Sequence, residues 1–256
     1  MNFTKTVLLA AALVAAGAAR AAPKQTLTVG TEGSYAPFTF FDASHALTGF
    51  DVEVMKEVGK RAGLEVKFVP TPWDSMFLAL ESKKFDLVAN QIAKTPEREK
   101  KYAFTDAYLI SGAQVIVRGD RKDVAGLDDL KGKRVGTGVG SNYSKLLEEY
   151  NKTHSPKIEI KYYEGNLPVV LQDIVAGRLD ATVNDRLTAG YNAKQMKLDV
   201  KVVGQPVELV PSHFVVRKDA ASQALAKKVD QALASMKQDG TLEKLSRTWF
   251  GADYTK

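Results

Sequence analysis

The sequence contains no cysteine and only three histidines in 256 residues. Without cysteine there is no disulfide, no thiolate nucleophile and no attachment point for a diacylglycerol lipid. His45, His154 and His213 are far apart in the chain, and a Gly-x-Ser-x-Gly nucleophile elbow is also missing. We therefore expect no metal, no cofactor and no catalytic residue.

Long apolar runs are almost absent as well. The run Val7–Ala19 is shorter than the roughly 20 residues that a membrane-spanning helix needs, and no later stretch is a better match. It follows Lys5 and leads into Ala19-Arg20-Ala21, an order typical of a secretory signal peptide with its cleavage site. We predict a signal peptide at residues 1–21 and export to the periplasm without a lipid anchor.

The charge excess is small. Lysine and arginine total 36 against 30 aspartates and glutamates, a net charge of +6. Loss of Lys5 and Arg20 with the signal peptide would leave 6 − 2 = +4. Since the basic residues are scattered among acidic ones, we expect no nucleic-acid partner.

What the sequence does show is a regular alternation of β-branched runs with segments of helical spacing, such as Phe50, Val54, Val58 and Ala62. This order predicts an α/β protein with mostly parallel sheets. Helix N-caps are expected at Ser141 and Asn166. The predicted strands are Leu27–Thr31, Glu65–Val69, Asp86–Ala89, Gln114–Arg118, Arg134–Thr137, Glu159–Tyr163, Asp180–Asn184, Val200–Val203 and His213–Arg217.

Polar and aromatic side chains follow several of these strands. Ligands of parallel sheets bind beyond the carboxyl ends of the strands, which makes these residues candidates for a binding site. They are Glu32, Tyr35, Asn90, Gln91, Ser141, Asn142 and Asp185, with Arg98 slightly further along.

Their chemistry fits a zwitterion. The Arg98 guanidinium and the helix amides that follow Ser141 suit a carboxylate, and Asp185 suits an ammonium group. Tyr35 and Trp73 could supply the walls around the rest of the ligand.

Each residue also has a structural interpretation that stays open. Arg98 could be a solvated charge at a helix start, and Asp185 could be only the N-cap of a helix that begins at Arg186. Tyr35 and Trp73 could be packing residues.

Several longer segments resemble a known family. They are Glu32–Phe38, Gly49–Glu53, Lys84–Asn90 with Thr95–Arg98, Gly177–Ala181, Asn184–Arg186 and Asp239–Asp253. These segments are similar to the periplasmic solute-binding proteins of polar amino-acid ABC importers, bacterial extracellular solute-binding protein family 3. Val88–Gln91, Gly140–Tyr143 and Asp185–Leu187 most resemble its cystine-binding branch. The similarity extends over the whole mature chain and implies the two-lobed, type II periplasmic binding protein fold.

The resemblance also implies roles for individual residues. Arg98 and the amide of Asn142 would hold the α-carboxylate of an amino acid. Asp185 would hold the α-ammonium group, assisted by the backbones of Gln91 and Ala93.

The resemblance assigns the remaining contacts to the ligand side chain. Tyr35 and Trp73 would enclose it, and Glu32 could reach a second ammonium group, which cystine, lysine and arginine all have. Many relatives carry serine or threonine at the positions of Asn90, Gln91, Ala93 and Asn142, so the resemblance does not extend to these contacts with the ligand side chain.

The family architecture implies a discontinuous first lobe, residues 24–110 plus 214–256, and a second lobe, residues 111–213. The hinge would lie near Ile110–Ala113 and Pro211–His213. A ligand that contacts both lobes would favour the closed state. We expect the protein to be a monomer that binds an amino acid, with cystine favoured, and to present it to the permease of an ABC transporter in the inner membrane.

Two other functions are alternatives to this interpretation. A cyclohexadienyl (arogenate or prephenate) dehydratase-like enzyme could employ Glu32 as a general acid. Nucleotide binding at Gly136–Gly140 would need a third glycine where Ser141 stands. The sequence favours neither over a binding protein.

Overall fold

The computed structural model of the protein describes residues 25–164 and 167–256. The predicted signal peptide and the predicted N-cap at Asn166 lie outside this range. In the described part of the chain, no helix is long and apolar enough to cross a membrane.

Strands and helices alternate through most of the chain. The strands are β1 (Thr26–Thr31), β2 (Ser34–Tyr35), β3 (Thr39–Phe41), β4 (Leu47–Thr48), β5 (Glu65–Pro70), β6 (Leu87–Ala93), β7 (Tyr102–Phe104), β8 (Leu109–Arg118), β9 (Arg134–Gly138), β10 (Glu159–Tyr163), β11 (Ala181–Asp185) and β12 (Val200–Arg217). The helices are α1 (Phe50–Ala62), α2 (Trp73–Glu81), α3 (Pro96–Lys101), α4 (Asn142–Thr153), α5 (Leu167–Val175), α6 (Arg186–Met196), α7 (Ala220–Gln238) and α8 (Thr241–Phe250), with a short 3-10 helix at Leu127–Leu130.

Two sets of parallel strands form the two lobes. In the first lobe β1 pairs in parallel with β5 and β6, and in the second lobe β9 pairs in parallel with β10 and β11. The long strands β8 and β12 lie between the two sets and pair with each other in antiparallel fashion. β12 therefore passes from one lobe into the other and joins them in a single hydrogen-bonded network. The α/β class with largely parallel lobes agrees with the sequence prediction.

Each lobe has its own apolar cores. In the first lobe, Leu27 and Phe50 pack in one cluster with Phe214 and Met236, although more than two hundred residues separate the ends of this set. In the second lobe, Val135 and Leu147 belong to a separate cluster, built on residues from the middle of the chain. Burial of these apolar faces is the main stabilising contribution to both lobes.

Three details differ from the sequence predictions. Val200–Val203 and His213–Arg217 belong to one strand, because the segment between them also pairs with β8. Asn90 and Gln91 lie inside β6 rather than after it. The short strands β2, β3 and β4 form a separate three-stranded sheet, and their two or three residues are too few for a recognisable alternation.

Candidate ligand-binding site

A cleft lies between the two lobes, with a cavity volume of about 70 Å³. Small-molecule sites usually measure roughly 300–1,000 Å³, so the lobes are closed on each other here and must separate to admit a ligand. Seven of the predicted site residues line it: Glu32, Tyr35, Trp73, Asn90, Gln91, Ser141 and Asn142. Of the other three, Arg98 packs on Trp73 and Asp185 accepts a hydrogen bond from Gln91, whereas Ala93 lines a neighbouring pocket.

Arg98 stands behind Trp73 at the start of α3. Its guanidinium carbon lies 5.3 Å from the centre of the Trp73 ring and 5.0 Å from that of Phe77. Nη1 donates to the carbonyl oxygen of Ala93 at 2.9 Å, and Nη2 donates to that of Gly140, in the second lobe, at 3.4 Å. Burial lowers the pKa of Arg98 to about 10. The guanidinium is therefore partly desolvated, and carbonyl oxygens rather than a carboxylate accept its hydrogen bonds.

Asp185 is fully buried at the end of β11. Its Oδ1 accepts from the backbone N–H of Leu187 at 2.8 Å and of Thr188 at 3.2 Å, which makes it the N-cap of α6. Its Oδ2 accepts from Nε2 of Gln91, in the first lobe, at 2.7 Å. Burial raises the pKa of this carboxyl group. The structural interpretation of Asp185 as a cap is thus confirmed, while Oδ2 also faces a donor from across the cleft.

Glu32 and Asn90 form a second polar pair, at another part of the lining. The Asn90 side chain accepts from the backbone N–H of Glu32 at 2.8 Å and donates to the Glu32 carboxylate at 3.3 Å. The hydroxyl of Ser34 donates to the same carboxylate at 2.8 Å. Burial raises the pKa of Glu32 more than these hydrogen bonds lower it. A negative side chain thus borders the cleft, and in the part of the chain that the structure describes only neutral donors form hydrogen bonds with it.

Aromatic residues of the first lobe reach the second. The Tyr35 hydroxyl donates to Oδ1 of Asn184 at 3.1 Å, and Nε1 of Trp73 donates to the carbonyl oxygen of Val139 at 3.1 Å. Tyr35 also stacks on Phe38, with ring centres 5.8 Å apart. Both aromatic residues line the cleft and are anchored by polar groups of the opposite lobe, so they combine the predicted wall and packing roles.

The start of α4 contributes the remaining predicted residues. Ser141 is the N-cap of α4, and its hydroxyl oxygen accepts from the backbone N–H of Ser144 at 3.0 Å, as the sequence predicted. Nδ2 of Asn142 is buried, and none of the described residues accepts a hydrogen bond from it. An amide donor at the cleft wall is therefore available to a ligand.

Sequence reasoning missed part of the lining. The cleft is also bordered by Thr137, Gly138, Tyr143, Tyr163, Leu167, Val170, Thr182 and Asn184, all from the second lobe. Thr182 and Asn184 are two positions apart in a strand, so their side chains point to the same face of the sheet. Counting back from Asp185 in steps of two leads to Val183 instead, so the assignment of Asp185 gave no signal for them. Among the described residues, no group of three or more histidine, aspartate or glutamate side chains is arranged to hold a metal ion.

Known proteins share both the sequence and the fold. The L-cystine-binding protein TcyJ of Escherichia coli strain K12 is 41% identical over 232 residues, which are 90% of this chain and 85% of TcyJ. The L-cystine-binding protein TcyA of Bacillus subtilis strain 168 is 43% identical over 235 residues, 91% of this chain and 84% of TcyA. A solved structure of a putative L-cystine ABC transporter from Listeria monocytogenes superposes with a TM-score of 0.82 and 37% identity, over 91% of this chain and 98% of that one.

These names support a binding protein over the dehydratase-like alternative. The family model of bacterial extracellular solute-binding proteins, family 3, matches residues 27–252, which include both lobes and the cleft. The chain therefore belongs to the family 3 bacterial extracellular solute-binding proteins.

Proposed function

We propose that this protein binds L-cystine in the cleft between its lobes and delivers it to the permease of an ABC transporter. The observation that carries the proposal is a pair of opposite charges at the same cleft, the fully buried Asp185 and the half-buried Arg98. Among the described residues, both form hydrogen bonds only with neutral amide and carbonyl groups. Since a buried charge is costly without a partner, a ligand with both a carboxylate and an ammonium group would compensate both.

Asn142 supports the carboxylate end of this assignment. Its buried Nδ2 donor has no acceptor among the described residues, and a buried donor without a partner typically costs about 1–3 kcal/mol. Because Asn142 follows the N-cap Ser141, the positive end of the α4 dipole also favours an anion there. Arg98 reaches toward this point through its contact with Gly140.

Asp185 supports the ammonium end. The Nε2 amide of Gln91 already donates to its Oδ2, which is the interaction that an ammonium group would make. A carboxylate oxygen accepts more than one hydrogen bond, so a ligand can share Oδ2 with Gln91 or replace it. The ligand would then contact Asp185 and Gln91, from opposite lobes, together.

Glu32 supports a ligand with a second ammonium group. It borders the cleft, and its carboxylate accepts hydrogen bonds only from neutral donors in the described part of the chain. L-Cystine, L-lysine and L-arginine all satisfy this site. The L-cystine-binding relatives at 41% and 43% identity favour cystine among the three.

The same proposal includes the domain layout and the location of the protein. We infer lobe boundaries at residues 24–110 plus 214–256 and 111–213, which the separate apolar cores support. We further propose that residues 1–21 are a cleaved signal peptide and that the mature protein works as a monomer in the periplasm.

A thermal-shift series tests the function. L-Cystine, L-arginine, L-lysine and L-glutamine are added at one common concentration, and a ligand present at about 100 times its dissociation constant should raise Tm by about 5 °C or more. We expect the largest response with L-cystine. Glu32→Gln should reduce that response, whereas Glu65→Gln, at an exposed glutamate at the start of β5, should not.

The outcomes separate ligand identity from function. A response to L-arginine and L-lysine alone would overturn the cystine assignment. No response to any amino acid would overturn the proposal that the cleft is an amino-acid site.

A further inference from the structure

A second buried aspartate lies beneath the binding cleft. Asp51, in the first turn of α1, is fully buried, although the other buried residues of this helix are apolar and most of them pack on the core of the first lobe. Its Oδ1 accepts from the hydroxyl of Tyr108 at 2.7 Å, and its Oδ2 accepts from the backbone N–H of Gln91 at 2.6 Å. This carboxylate therefore holds the backbone of a residue that lines the cleft.

Gln91 needs such support because its backbone is unusual. Its φ is +49°, in the left-handed region that residues other than glycine rarely adopt. The pairing of β6 with β12 also shifts register here: Ile92 pairs with His213, whereas Val88 pairs with Val215. The N–H of Gln91 thus points out of the strand ladder toward Asp51.

This backbone conformation determines where the Gln91 side chain goes. Gln91 is almost completely buried, and its Nε2 donates to Oδ2 of Asp185 in the second lobe at 2.7 Å. A chain of hydrogen bonds therefore runs from Tyr108 through Asp51 and Gln91 to Asp185. Any change at Asp51 should move the amide that meets Asp185.

The surroundings of Asp51 offer no compensating charge. The polar groups that face it are the Tyr108 hydroxyl, just before β8, and the Gln91 amide of β6. Tyr108 is itself fixed by stacking on Phe214, with ring centres 4.2 Å apart. Asp185, one residue further along the chain of hydrogen bonds, is also negative. Among the described residues, no cationic side chain donates to Asp51, and burial raises its pKa to about 7.

We propose that Asp51 is a positioning residue of the ligand site: its carboxylate keeps Gln91 in the left-handed conformation that directs the Gln91 amide to Asp185. The inference rests on the proposed function, because it assigns Asp51 to the cleft where that function takes place. A fully buried carboxylate without a cation is costly for the fold. The geometry that this carboxylate gives to Gln91 explains why a buried aspartate stands at this position.

A pH effect follows from the same arrangement. An ammonium group bound at Asp185 attracts the negative form of Asp51, so ligand binding should release a proton from Asp51 near neutral pH. Since the ligand binds more tightly when Asp51 is ionised, the affinity of the protein for the ligand should increase as the pH rises from about 6 to 8. A residue with only a structural role would not be linked to ligand binding in this way.

The test compares three variants. Asp51→Ala removes both acceptor atoms, and Asp51→Asn keeps one carbonyl oxygen for the N–H of Gln91. Asp86→Ala is the matched control, because Asp86 also accepts from one backbone N–H and one hydroxyl, both of Thr28. Asp86 directly precedes β6, whereas Gln91 lies near the other end of this strand. Hydrogen exchange at the Gln91 amide measures the positioning directly, and calorimetry with L-cystine measures its consequence for binding.

We expect Asp51→Ala to accelerate exchange at Gln91 and to weaken L-cystine binding by about tenfold or more each, as for loss of a hydrogen bond to a charged group. Asp51→Asn should restore most of both, and Asp86→Ala should change neither by more than about threefold. A protected Gln91 amide in Asp51→Ala, or equal losses in Asp51→Ala and Asp51→Asn, would overturn the inference.

Two further outcomes remain informative. If Asp51→Ala does not fold, the pH profile decides: Asp51→Asn should abolish the rise in affinity between about pH 6 and 8, and parallel profiles for the variant and the wild type contradict the proposal. If the wild type does not bind L-cystine, the cystine assignment fails, while exchange at Gln91 still tests the role of Asp51.

Discussion

At the scale of single residues, Asp185 combines a local role and a role across the cleft. Oδ1 caps α6 through the N–H groups of Leu187 and Thr188, and Oδ2 faces Gln91. The two roles use different oxygen atoms of one carboxylate. A substitution that preserves the cap but removes the charge can therefore separate them.

Asp185→Asn is such a substitution, because asparagine is as good an N-cap as aspartate. We expect it to weaken binding of the cognate amino acid by about 3–5 kcal/mol, the effect of removing one partner of a buried charge pair, without lowering the free energy of unfolding. Asp185→Ala should weaken binding similarly and also destabilise the protein by about 1 kcal/mol through loss of the cap. Calorimetry and urea unfolding measure the two effects.

Arg98→Ala gives the corresponding test at the carboxylate end. We expect a loss of about 3–5 kcal/mol in binding for the same reason. Lys94→Ala serves as the control, since Lys94 is an exposed cation that pairs with Glu99 at 2.7 Å, close to Arg98 in sequence. Affinity equal to that of the wild type in Arg98→Ala or in Asp185→Asn would place the charged ends of the ligand elsewhere.

The sequence alone identified the charged residues of the cleft but not the contacts that orient them. In the sequence, Arg98 and Asp185 stand out because each is a charged residue that comes after a predicted strand and near the start of a helix. The bond between Asp51 and Gln91 joins residues 40 positions apart, and that between Glu32 and Asn90 joins residues 58 apart. Such pairs depend on strand order and register, which local patterns do not determine.

At the scale of elements, the start of α1 depends on one glycine. Gly49 precedes the helix with φ of +128°, and a Cβ atom there would lie 2.2 Å from the carbonyl oxygen of Phe38. Gly63, at the other end, also has a positive φ of +69°, but a Cβ atom would meet nothing within 4 Å. A Cβ atom at Gly49 would overlap with a neighbour, whereas one at Gly63 would only strain the backbone. Substitutions at the two ends of α1 can therefore measure these two effects separately.

Gly49→Ala should lower the free energy of unfolding by more than about 2 kcal/mol, because the backbone of Phe38 or of α1 must move. Gly63→Ala should cost only about 1 kcal/mol, the usual penalty for a left-handed alanine. Urea denaturation of both variants provides the comparison. Equal destabilisation would show that the contact with Phe38 is relieved without cost.

Most elements were predictable because their periodicity reflects burial on one side. The strand β10 was predicted with its observed limits, Glu159–Tyr163, and β1 and β5 to within one residue at each end. β12 was predicted as two pieces, since Gly204, with φ of +68°, and Pro206 interrupt its pattern. Pairing with β8 on both sides of this irregularity keeps the strand continuous, an effect that appears only in the assembled sheet.

At the scale of the whole molecule, contacts between side chains join the lobes around the cleft. Besides those of Tyr35, Trp73 and Gln91, the Nδ2 of Asn192 donates to the carbonyl oxygen of Ala36 at 3.1 Å. These groups must separate before a ligand can enter, while β8 and β12 keep the lobes connected. We therefore expect the lobes to open about these two strands.

The ion pair between Lys145 of α4 and Glu97 of α3 offers a way to test this movement. Nζ of Lys145 lies 2.8 Å from Oε2 of Glu97, and both side chains are well exposed. An exposed pair contributes little to stability, so its replacement should leave the fold intact. Because the chain has no cysteine, Glu97→Cys with Lys145→Cys introduces the only two thiols.

Joining these thiols with a short bis-maleimide should hold the lobes together and slow the association of L-cystine by at least about tenfold, because the ligand enters only after opening. Both thiols are consumed in the reaction, so they cannot exchange with a disulfide ligand. The double variant capped with a monofunctional maleimide is the control and should bind at the rate of the wild type. Stopped-flow tryptophan fluorescence measures the rates, since Trp73 lines the cleft. An unchanged rate after cross-linking would mean that ligands reach the site without separation of α3 from α4.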